Sequence, residues 1–184
     1  MLVRTVGVVG GMGVLGAAAG ALWEAIWDAP TGVVWQGEWL LYPSGPDLGF
    51  DAVALYVVIG FAAGLLVGVA LALFLVGREL ITLLGVCVGS VLAAWVMFAT
   101  GQALGPPDPQ VLAQRLDDFE TLPAQLDVGE ATRFAPFGST ASLAWPLGSV
   151  LGLGLTMLVT DGRRRRPSGP SNPRTNDGDV SPTG

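Results

Sequence analysis

The chain has 184 residues, 51% hydrophobic and only 13% charged, with a formal net charge of −6. A soluble domain carries roughly 25% charged residues, so water is not the solvent for most of this sequence. Its nine cationic residues are all arginine, histidine is absent and Cys87 is the one cysteine, which excludes an intrachain disulfide and a cysteine/histidine zinc site.

Apolar runs cover about 5–27, 52–77, 80–101 and 140–160, and at 1.5 Å per residue each reaches about 30 Å, the thickness of a hydrocarbon core. Backbone amides in lipid must be paired within their own segment, so the runs predict helices, and their lack of alternation argues against a barrel. The first run, entered from Arg4, shares features with a cleavable signal sequence. It is longer than an ordinary signal core and ends in Trp23 and Trp27, which fits a retained span better.

Each run carries glycines four residues apart: Gly7/Gly11 and Gly16/Gly20, Gly60/Gly64/Gly68, Gly85/Gly89, and Gly148/Gly152. Such strips let two helix backbones approach closely, which predicts packing roles for Gly60, Gly64, Gly68, Gly85, Gly89, Gly148 and Gly152. Gly77, Arg78 and Glu79 are the whole link between the second and third runs, so these helices are expected as an antiparallel pair. Gly60, Gly64, Gly68 and Ala72 would then oppose Gly85, Gly89 and Ala93. Cys87 is expected to pack inside.

Four crossings place Arg4, Arg78, Arg163, Arg164, Arg165, Arg166 and Arg174 on one side, seven of the nine arginines. Cationic loops stay in the cytoplasm, so both termini are expected inside a bacterial plasma membrane, with 28–51 and 102–139 outside. Ten acids against Arg115 and Arg133 make that outer side negative. Trp23, Trp27, Trp95 and Trp145 fall at outer helix ends and are expected as anchors in the headgroup layer.

Between the first two runs, Val33 to Trp35, Gln36-Gly37 and Glu38 to Tyr42 allow a small β-hairpin. Asp51 would cap the second helix. Asp108 suits an N-cap and Pro109 a first helical position, predicting a short surface helix with Leu112, Leu116 and Phe119 on one face, packed against the hairpin. Beyond Asp161 the arginine cluster and a Pro/Ser/Gly-rich stretch predict a disordered cytoplasmic tail over 163–184. That cluster reads as a topology anchor and not a nucleic-acid patch, since it lacks interleaved aromatics.

Gly11, Gly13 and Gly16 spell G-x-G-x-x-G, the opening of a dinucleotide site, but no alternating strands and amphipathic helices follow. No span carries an ionisable group near its centre, and Ser90, Ser149, Thr156 and Thr160 have no histidine or lysine to activate them. No catalytic residue, metal or cofactor is therefore expected. Glu24, between Trp23 and Trp27, is the acid least comfortably placed.

The alanine- and glycine-rich first helix ending in Gly20-Ala21-Leu22-Trp23, the helix end Gly101 to Pro106 and Trp145-Pro146-Leu147 resemble small actinobacterial four-span membrane proteins of undetermined function. The likeness covers most of 1–162, with Gln102 where that group would have histidine, and it implies no activity. The expected fold class is an all-α membrane protein: a four-helix transmembrane bundle over 1–162 with a small outer cap. The expected role is a noncatalytic cell-envelope protein that assembles with another membrane protein or with itself in the lipid bilayer, without nucleic acid. The alternative is a small-solute transporter or channel subunit.

Overall fold

The computed structural model describes residues 2–42, 50–74, 79–128 and 139–164. In chain order it comprises α1 (Leu2–Ile26), β1 (Thr31–Trp35), β2 (Glu38–Leu41), α2 (Phe50–Phe74), α3 (Glu79–Leu104), α4 (Pro109–Ala113), β3 (Thr121–Pro123), a 3-10 turn (Thr140–Leu143) and α5 (Ala144–Arg164). Among the described residues four helices, α1, α2, α3 and α5, are long and apolar enough to cross a membrane. α3 has the largest buried share of its span, 44%, against 28% for α1 and α2, which makes it the central helix.

The long helices associate as two pairs, α1 with α3 and α2 with α5. A Cβ on Gly60 would press on Trp145 and Ala144, one on Gly64 on the Trp145 carbonyl and Ser149, and one on Gly68 on the Ser149 carbonyl and Leu153. From the other side, Gly148 and Gly152 lie against the backbone of Phe61, Leu65 and Val69. The numbers rise together along both helices, so α2 and α5 run parallel, each strip seated on the other's backbone. α1 and α3 are parallel by the same criterion: Met12 meets Gly89, Gly16 meets Ala93, and Gly20 meets Met97 and Gly101. Such contact replaces side-chain bulk by close backbone approach, the packing available where both surroundings are apolar.

The expected pairing of α2 with α3 is therefore corrected. The strip on α2 is taken by its counterpart on α5, the strip on α3 by α1, and the sequence neighbours α2 and α3 make only minor contact. Their link, 75–78, lies outside the described residues. At Gly85 a Cβ would meet nothing within 4 Å, and the same holds for Gly7 and Gly11. Cys87, expected inside, is exposed on α3.

The remaining elements build a cap at one end of the bundle, in which the expected hairpin and short helix are joined by a third strand. β1 and β2 pair antiparallel from Gly32↔Leu41 to Trp35↔Glu38. Gln36 (φ 52°) and Gly37 (φ 78°) supply the two left-handed residues of a tight hairpin turn. β3 adds on the other side, giving the order β2-β1-β3. The Oδ1 of Asp108 accepts from the Gln110 N–H at 3.0 Å, and Pro109 occupies the first position of α4. That helix stops at Ala113, so Leu116 and Phe119 do not share its face. Asp51 lies in the first turn of α2, where its charge complements the helix dipole. Gly11, Gly13 and Gly16 lie inside one continuous helix, which leaves no strand-turn-helix junction for a pyrophosphate.

Candidate functional site

The densest set of side-chain interactions lies where the cap meets the bundle. Trp23 is fully buried, its ring edge on to Tyr56 at 5.0 Å between centroids and its Nε1–H donating to the Ala52 carbonyl at 2.8 Å. The Tyr56 hydroxyl donates to the Ala94 carbonyl at 2.8 Å. Trp145 is fully buried and its Nε1–H points at the Met97 Sδ, 3.1 Å away. Together these ties join α1, α2, α3 and α5.

Trp23, Trp27 and Trp145, expected as headgroup anchors, are buried within the protein. The glycines explain it. Gly101 leaves room for the six-membered ring of Trp23, and Gly60 for the edge of Trp145. Each glycine is a socket for an indole. Trp95 alone of the four is exposed, at 40%. The Trp27 Nε1–H is buried without an acceptor, a burden of about 1–3 kcal/mol.

Arg4 falls in the first turn of α1, and Arg163 and Arg164 at the end of α5. Arg78, Arg165, Arg166 and Arg174 lie outside the described residues, as does most of the expected tail.

Three hydroxyls of the bundle bond to the backbone of their own helix: Ser90 donates to the Cys87 carbonyl (3.0 Å), Ser149 to Trp145 (2.9 Å) and Thr156 to Gly152 (2.8 Å). Among the described residues no group of three His, Cys, Asp or Glu side chains could hold a metal ion. Burial pushes the Asp127 carboxyl above its ordinary value of 3.8, and the Val128 N–H partly opposes that. Asp127 nevertheless reaches solvent, between buried Leu126 and Val128.

Two features of the cap were not legible beforehand. Trp39 of β2 lies across Gly32 of β1 and donates from Nε1 to the Leu122 carbonyl of β3 at 3.1 Å, so one side chain spans the sheet. Gln110 pairs with the outer edge of β2, its Nε2 donating to the Trp39 carbonyl (3.0 Å) and its Oε1 accepting from the Trp39 N–H (3.3 Å). The second feature is a bulge. The Val34 N–H donates to Glu120 while the Val34 carbonyl accepts from Phe119, putting two residues opposite one. Phe119 occupies the left-handed position, φ 76°, usually held by glycine. That conformation costs a residue with a Cβ about 1–2 kcal/mol. Its ring meets Trp35 edge on at 5.1 Å.

Comparison with family models, with curated proteins and with solved structures finds no match.

Proposed function

We propose that this chain is a noncatalytic four-pass protein of the bacterial plasma membrane, both termini cytoplasmic, whose bundle holds a folded outer cap for assembly with another membrane protein. One observation carries the reading: polar groups buried or half-buried in the bundle are spent on hydrogen bonds inside the protein, between helices at Trp23, Tyr56 and Trp145 and within single helices at Ser90, Ser149 and Thr156, while its outward faces are apolar. Val14, Val58, Leu66, Val88 and Leu158 are each more than 60% exposed, a surface suited to lipid and costly in water. The tied end supports a sheet whose side chains are free for contact.

Reporter fusions after residues 40, 78, 125 and 184 test the orientation, with the second and fourth expected on the cytoplasmic side. Crosslinking in native membranes tests assembly, and recovery of no specific partner counts against it. The transporter alternative predicts solute flux in liposomes holding the purified chain alone, whereas the assembly reading predicts none.

A further inference from the structure

The cap sheet has one covered face and one open face. Gly32 and Val34 are buried on one side, while Thr31, Val33 and Trp35 point to the other. Cross-strand pairing puts Leu40 beside Val33 and Glu38 beside Trp35 on that second side, and alternation adds Tyr42. Phe119 completes it through its contact with Trp35. Trp35 is 43% exposed, Leu40 50%, Phe119 71% and Tyr42 72%. A cluster of exposed aromatic and aliphatic groups of this kind marks an interaction surface.

The charged groups that pairing and contacts place at its edge are carboxylates. Glu38 faces Trp35 across the strands, Asp118 accepts from the Gln36 N–H at the hairpin turn (2.8 Å), and Asp117, Asp118 and Glu120 surround Phe119 in the chain, outnumbering the nearby Arg115. We propose that this open face docks a segment of another protein with an apolar centre flanked by arginine or lysine, a refinement that rests on the assembly reading above. Charge selects this occupant. A second copy meeting the same face would oppose carboxylate to carboxylate, and an anionic leaflet would be repelled. Phe119 supports the choice: glycine would relieve the bulge, yet this position keeps a strained backbone and presents an exposed ring.

The test uses the full-length chain in discs of zwitterionic lipid and a fluorescein-labelled peptide with a Leu-Trp-Leu centre flanked by arginines, read by anisotropy against empty discs. Saturable, salt-weakened binding is expected, reduced about tenfold or more by Trp35→Ala and by Phe119→Gly, with no binding of the same peptide carrying glutamates for arginines. Phe119→Gly removes the positive-φ strain, so an unchanged or raised melting temperature shows that lost binding is not lost folding. Equal binding by the variants, or by the acidic peptide, overturns the proposal. So does quenching by brominated lipid that is seen in the native chain and lost in Trp35→Phe, which would put the face in the headgroup layer. Photo-crosslinkers at Leu40 and Tyr42, compared with Val14 and Leu158 in native membranes, separate this proposal from the broader reading. A cap adduct mapped to a Lys/Arg-bearing segment supports it; adducts only from Val14 or Leu158 refute this face and leave assembly standing; adducts from none refute both.

Discussion

Trp23 and Trp145 are held by what stands opposite them. The indole of Trp23 fills the space over Gly101, and any side chain there must expel the ring or push the helices apart. Gly101→Leu is expected to destabilise the detergent-solubilised chain by about 1–3 kcal/mol, typical of overpacking, while Gly85→Ala leaves it unchanged because a Cβ there meets nothing within 4 Å. Thermal unfolding followed by tryptophan fluorescence distinguishes the two. At Asp127 the raised pKa means that the fold favours the neutral acid. Its stabilising contribution is present below the ordinary value of 3.8 and fades as pH rises through the raised one. Asp127→Asn is thus expected to flatten the stability profile in that window and to raise the melting temperature slightly at neutral pH. The effect stays small because water screens the exposed carboxylate. At this scale the sequence shows a tryptophan near a helix end but not its burial, because the glycine that opens a socket for it is about 80 residues away and invisible without the pairing.

Each long helix was legible because a charge-free stretch of lipid length has few alternatives. Which helix pairs with which was not. Glycine strips occur on all four, and the short 75–78 link favours sequence neighbours, whereas the contacts formed are α1 with α3 and α2 with α5. Gly64→Val would force a branched side chain onto the Trp145 carbonyl and the Ser149 backbone. It is expected to loosen α2 from α5 without disturbing α1 and α3, seen as faster hydrogen exchange confined to the first pair. β3 escaped notice because Thr121, Leu122 and Pro123 are few and include proline, acceptable only at an edge whose outward N–H is not needed. At the opposite edge Gln110→Ala would leave the Trp39 N–H and carbonyl without their partner. A loss of about 0.5–1.5 kcal/mol and increased amide exchange at Trp39 are expected.

The whole molecule combines two parallel pairs, antiparallel to each other, with a sheet at one end. This arrangement suits four crossings, since helices one and three share a direction and so do two and four. The proposed orientation rests on the arginine distribution, while the acidic, aromatic face of the cap could not be assembled from sequence, because it depends on the third strand and the bulge at Phe119. The account stands on lipid covering the exposed flanks of α1, α2, α3 and α5, and the native chain carries its own probe. Cys87 is exposed in the fold and lies about 12 Å along α3 from Glu79, well inside a hydrocarbon layer. A charged, membrane-impermeant maleimide applied to broken membranes without detergent should leave Cys87 unmodified until the bilayer is dissolved and the chain unfolded in dodecyl sulfate. Rapid, complete modification of the native thiol in those membranes, or recovery of the chain in the detergent-free supernatant, would contradict it.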